Sequence, residues 1–248
     1  MNGISMTRVI MKLNAYYAKR DTAGAERHLD YWLAEARSLG DRESEFAIQN
    51  ERIGHFRKTG EKDKAYRAIR EAEELSRGRG RDAAYGTLLV NIGTAYTAFG
   101  EYALAVERLE EARRIYARVL SGNDIRQGYA CNNTACAYEG MGRWGEAHRQ
   151  YRESLRIAGL APGGEREIAV TYLNMARAAE NEHGIERAEE VVAAYCEKAY
   201  EAILSPALAH DAEYAYVCLW CADEMGRHGF FRYEAALRDM AEEIYEGA

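Results

Sequence analysis

An all-α fold of about six stacked helical hairpins is predicted by three features of this 248-residue sequence. Only two prolines occur, against a usual share of about 5%, and proline is the residue that breaks helices. Alanine, the strongest helix former, occurs 42 times. Glycine then recurs almost evenly: Gly60, Gly100, Gly142, Gly184 and Gly226 are spaced by 40, 42, 42 and 42 residues. A period of that length marks stacked supersecondary units rather than one globular core.

A second register follows each glycine. Ala25, Ala65, Ala105, Ala147 and Ala188 are spaced by 40, 40, 42 and 41 residues. Ahead of Gly100 lie Leu89, Ile92, Gly93 and Tyr96, and after it Ala105, Leu109, Ala112 and Ile115. Steps of three and four place each set on one face of a helix. Each unit therefore reads as helix, tight turn, helix. Polar and glycine-rich joints are expected at Ser38–Ser44, Ser76–Asp82, Ser121–Asp124, Ala161–Gly164 and Leu204–His210. Both prolines, Pro162 and Pro206, fall in such joints. The repeats are read at about 5–40, 45–78, 84–120, 126–160, 166–203 and 208–246, as a single solenoid over 1–248. One unit back from Gly60 lies Arg20-Asp21, a turn without its glycine. The first and last units diverge most, as terminal repeats do when solvent replaces a neighbour.

The charge balance excludes several classes of partner. Lys and Arg total 33 against 40 Asp and Glu, a formal charge of −7. Nucleic acid and anionic membrane surfaces call for a cationic field, so neither is an expected partner. The opening residues lack the apolar run of a signal peptide, and no stretch approaches the length of a membrane span. Five cysteines form an odd set, Cys131, Cys136, Cys196, Cys218 and Cys221. That is unlike a secreted disulfide framework, and a cytoplasmic location is the expectation.

The clearest unit runs Asn132-Asn133-Thr134-Ala135-Cys136-Ala137-Tyr138-Glu139-Gly140-Met141-Gly142-Arg143-Trp144-Gly145-Glu146-Ala147, then Tyr151, Ser154, Leu155 and Ile157. It resembles the tetratricopeptide signature, in the roughly 42-residue variant of kinesin light chains. The unit built on Ile92, Gly93, Tyr96, Gly100, Tyr102, Ala105, Leu109 and Ala112 resembles it equally. Asn50 to Gly60, with Ile53, Gly54, His55, Phe56 and Arg57, is similar to a repeat in an uncharacterised group of bacterial tetratricopeptide proteins. The resemblance implies a right-handed α-α superhelix. It also implies that the first helix of each hairpin lines a concave groove where peptides bind.

On that basis the candidate groove residues are Asn50, Arg57, Asn91, Thr94, Asn133, Asn174 and Arg177, with Lys58, Thr97, Glu139 and Glu180 beside them. Asn50, Asn91, Asn133 and Asn174 recur at 41, 42 and 41 residues. Asparagine is unfavourable inside helices, so its recurrence asks for a reason. Its amide offers a donor and an acceptor suited to a peptide backbone, or equally to the next hairpin. Anchored on its following glycine, Asn50 is read as one place earlier than the other three. Partial exposure is expected for Asn91 and Asn133. Arg57 and Arg177 suit a carboxylate.

Catalytic constellations are not apparent. Cys218-Leu219-Trp220-Cys221 has thioredoxin spacing but lies in a helical run, Ala209–Met225, without the helix start that activates a thiolate. The six histidines show no metal-ligand spacing. Gly78 and Gly80 have neither the preceding strand nor the lysine of a phosphate loop. The expected function is a non-catalytic scaffold or adaptor binding an extended peptide or protein segment, with no cofactor and no metal. Self-association through the end hairpins is the rival, and a peptide-sensing regulatory module the third reading.

Overall fold

The computed structural model describes residues 3–246, which form twelve α-helices and, among the described residues, no strand. They pair as α1 (Met6–Ala18) with α2 (Thr22–Leu39), α3 (Arg42–Thr59) with α4 (Lys62–Ser76), and α5 (Ala83–Ala98) with α6 (Tyr102–Val119). The second half pairs α7 (Ile125–Gly140) with α8 (Trp144–Ala158), α9 (Glu165–His183) with α10 (Ile185–Ile203), and α11 (Ala212–Arg227) with α12 (Phe231–Glu246). These are the six hairpins of the glycine and alanine registers. No helix among the described residues is long and apolar enough to cross a membrane.

Local chemistry sets the helix starts. Asp41, Asp82 and Asp211 each accept a hydrogen bond from the backbone N–H three residues on, at 3.0, 2.9 and 2.8 Å. Asp21 does the same for Gly24 and Asp124 for the Arg126 N–H. Each satisfies one of the donors a helix start leaves unpaired. At the hairpin turns the chain enters the left-handed region, with φ of 79° at Gly100 and 68° at Gly142, where glycine carries no Cβ penalty. Arg20 takes φ 54° in the glycine-less first turn.

Two boundaries differ from the sequence expectation. Gly226 lies inside α11, and the turn is made three residues later by Gly229, at φ 82°. The 42-residue spacing therefore overshoots its element in the last, most divergent repeat. The first joint is also much tighter than Ser38–Ser44. Helix α2 continues to Leu39 and α3 begins at Arg42, because Gly40 at φ 63° reverses the chain and Asp41 caps α3 at once.

Packing divides the chain into two compact units, Met1–Ile115 and Tyr116–Ala248. In the first, Leu13, Ala25, Leu29, Leu33, Ala36 and Ile48 form one buried cluster, and Phe46, Ile53, Phe56, Ala65, Ile69, Leu88 and Ile92 are central to another. Small residues set the helix crossings. A Cβ on Gly93 would lie 2.5 Å from Leu109 Cγ and 3.2 Å from the Ala105 carbonyl oxygen, so α5 and α6 approach through that glycine. In the second unit Ala135, Ala147, Tyr151 and Ala178 pack together, and a larger cluster joins α9, α10, α11 and α12 around Leu173, Cys196, Tyr214 and Leu237. Cys218 and Cys221 are fully buried within α11, and burial pushes both thiols up, Cys218 to about 11.

Candidate functional site

First helices pack on first helices: α3 on α5 in one unit, and α7 on α9 and α9 on α11 in the other. The asparagines sit at these contacts. Asn91 Nδ2 donates to Asn50 Oδ1 at 3.0 Å across α3 and α5, leaving both residues half-buried. In the second unit Asn174 Nδ2 donates to Asn132 Oδ1 at 3.1 Å across α7 and α9, and both are buried. The rung partner is thus Asn132 and not Asn133. Asn133 stands one position further round the helix, half-buried, and donates to the Tyr129 carbonyl of its own turn at 2.8 Å. Instead of four rungs at one register there are two cross-hairpin amide pairs. Counted to the following glycine, Asn50, Asn132 and Asn174 stand ten residues before and Asn91 and Asn133 nine, so Asn50 shares its place with Asn174 rather than standing alone. Register does not decide the pairing, since Asn91 pairs from the ninth place and Asn133 bonds within its own helix.

A recess of about 280 Å³ opens beside the first pair. Met6 and Ile10 of α1, Phe46, Ala47, Asn50 and Glu51 of α3, and Ala84 and Thr87 of α5 line it, with Glu43 and Arg79. Arg79 pairs with Glu43 and stacks over the Phe46 ring. The recess combines an apolar floor, an amide, and the Glu51 carboxyl, which burial pushes above the ordinary carboxylate range. These are the components of a site that takes an apolar side chain and fixes the backbone next to it.

Opposite chemistry occupies the corresponding helices of the second unit. Glu139 is buried and accepts from Arg177 Nε and Nη2 at 3.2 and 3.1 Å, from Tyr151 Oη at 2.9 Å and from Asn181 Nδ2 at 2.9 Å. Arg177 also donates to Asn174 Oδ1 at 2.8 Å, which ties the ion pair to the amide pair. Burial opposes the charge on Arg177, but Cys136, Glu139 and Tyr151 more than offset it and hold the guanidinium above its ordinary pKa. Ser154 Oγ lies 3.1 Å from Glu167 Oε1 and 3.3 Å from Thr171 Oγ1. Burial pushes the Glu167 carboxyl up to about 8, against the opposing hydrogen bonds of Ser154, Thr171 and Asn132.

The expected carboxylate partner of Arg177 is therefore internal. Arg57 is half-buried near the end of α3, and Lys58 lies 4.1 Å over the Tyr17 ring. Thr94 and Thr97 donate back to the carbonyls of Val90 and Gly93, at 2.7 and 3.0 Å. Glu180 pairs with His228 Nδ1 at 2.8 Å, joining α9 to the residue that follows α11. Asn132 on α7, Ser154 on α8, and Glu167 and Asn181 on α9 were not among the expected residues; only Glu167 and Asn181 share a helix with Thr171 and Asn174, at helical spacing from Asn174.

Residues 84–159 match the family model described as tetratricopeptide repeat. Those residues are tetratricopeptide repeats. The matched span covers the two units whose residues resemble the signature most closely, α5 to α8. No curated protein matches the sequence. Among solved structures, the fold is similar to BtubC (BKLC) from P. vanneervenii, at 19% identity and a TM-score of 0.57, over 93% of this chain and 91% of that one. A Rap protein complexed with Competence and Sporulation Factor is similar at 12% identity and a TM-score of 0.58, over 95% of this chain and 62% of that one. NprR in complex with its cognate peptide NprX is similar at 16% identity and a TM-score of 0.54, over 100% of this chain and 71% of that one. At such identities the likeness is one of fold. Helical hairpins precede and follow the matched repeats.

Proposed function

We propose that the chain is a non-catalytic adaptor that binds an extended peptide along the first helices of its repeats. The observation that carries this reading is the recess between α1, α3 and α5, an apolar floor with the half-buried Asn50 amide at its edge. A peptide side chain enters the recess while Asn50 and Asn91 hold its backbone, with Thr94 and Arg57 further along the same helices. In the second unit Asn174 and Arg177 position one another and Glu139. The Rap structure, complexed with Competence and Sporulation Factor, and the NprR structure, in complex with its cognate peptide NprX, share this fold and support the reading. Such preformed surfaces bind with little rearrangement.

Selection of a random peptide library on the full chain, followed by affinity measurement, tests it. Ala47 is half-buried on the floor of the recess. Ala47→Arg is expected to weaken selected peptides by about tenfold or more, about 1.4 kcal/mol, with the melting temperature unchanged. Equal affinity in the variant contradicts the assignment. Self-association is the competing reading, favoured by Phe231, which is 68% exposed at the start of α12. A monomer by light scattering at high concentration removes it.

A further inference from the structure

Three side chains distant in sequence converge at the first two hairpins. Glu26 on α2, His55 on α3 and Glu61, the residue that precedes α4, bring one imidazole nitrogen and two carboxylate oxygens within 4.8 Å of one another. His55 is 1% exposed, and its Nε2 is buried with no hydrogen-bond partner. A buried polar atom left without a partner is costly and asks for a ligand. Its other nitrogen, Nδ1, is 3.1 Å from Tyr17 Oη. With the Nδ1 proton given to that oxygen, the lone pair of Nε2 is available for coordination, the usual arrangement around a metal-bound histidine. Glu61 is oriented by Thr59 Oγ1 at 2.9 Å.

A cation already bridges the two carboxylates. Lys64 Nζ is 2.7 Å from Glu26 Oε1 and 2.7 Å from Glu61 Oε1. Its side chain is 42% exposed, so the ammonium can swing into water. We propose that Glu26, His55 and Glu61 form a binding site for a divalent transition ion of the zinc type, with the Lys64 ammonium as the counter-ion that the metal displaces. One imidazole and two carboxylates are a donor set such ions accept, and water completes the shell. The bound ion joins α2, α3 and the turn that leads into α4, across two hairpins. The spacing of 29 and 6 residues between the ligands is not a short-range motif, which is why the sequence alone led to the opposite expectation.

Titration of the full chain with Co²⁺, read by its visible absorption and in competition with Zn²⁺, tests the site. One equivalent is expected to bind. Glu61→Gln, at a partly exposed position that preserves the fold, is expected to weaken binding by about tenfold or more, and Lys64→Met to strengthen it by about tenfold. Unchanged binding in Glu61→Gln overturns the proposal. So does a near-ultraviolet sulfur-to-cobalt band, which assigns the ion to cysteine, or the absence of binding in both wild type and Lys64→Met.

Discussion

Glu167 carries the clearest pH signature of any single residue. Its carboxyl titrates near 8 in the folded chain, above its ordinary value of 4.5, because burial disfavours the anion. A carboxyl whose pKa is raised by folding contributes its full stability below the unfolded value. That contribution is lost as pH rises through the folded one. Between about pH 4.5 and 8 the chain should lose roughly 1.4 kcal/mol per pH unit from this group, and no more above that window. Glu167→Gln keeps the shape and removes the titration. Urea unfolding near pH 5 and pH 9 should show the variant gaining on the wild type at the higher value, and parallel pH profiles would contradict it. None of this was legible in the sequence, where Glu167 is one acid among 40. The same limit explains Asn132 and Asn133. Periodicity places an asparagine on the correct helix, but two neighbours differ by about 100° around the axis, and only the partner helix decides which one pairs.

At the scale of the element, small residues fix the hairpins. Leucine at position 93 has to displace Leu109 and the Ala105 carbonyl, and Gly93→Leu should cost about 1–3 kcal/mol by overpacking. Gly54 is the control, since a Cβ there meets nothing within 4 Å. Gly54→Ala should be neutral or gain about 0.5–1 kcal/mol from helix propensity. Denaturant midpoints of both variants decide it: equal shifts would mean that α5 and α6 do not cross closely at Gly93. Hairpins were legible because turn glycine and crossing alanine recur at one period, each for a separate physical reason. Where those signals disagree, as at Gly226 and Gly229, the turn follows the left-handed backbone and not the period.

Across the whole molecule, the two units present their first helices differently. In Met1–Ile115 the amide pair stands beside a recess with an apolar floor, whereas in Tyr116–Ala248 it is sealed into a network with Arg177 and Glu139. This part-buried ion pair fixes one arrangement of α7, α8 and α9, and it engages Arg177 within the chain. Sequence repetition made these surfaces look equivalent, since Asn50 and Asn174 hold the same register. The difference lies in what surrounds each, Phe46, Ala47 and Glu51 in one case and Glu139, Tyr151 and Asn181 in the other, and a repeat signature does not specify those positions. The central claim is that the first helices of the first unit are the peptide-binding surface. Hydrogen–deuterium exchange of the full chain with a library-selected peptide tests it most directly. Slowed exchange is expected to be confined to α1, α3 and α5, with α2 and α4 unchanged. Protection on α2 and α4, or only at α12, would contradict it.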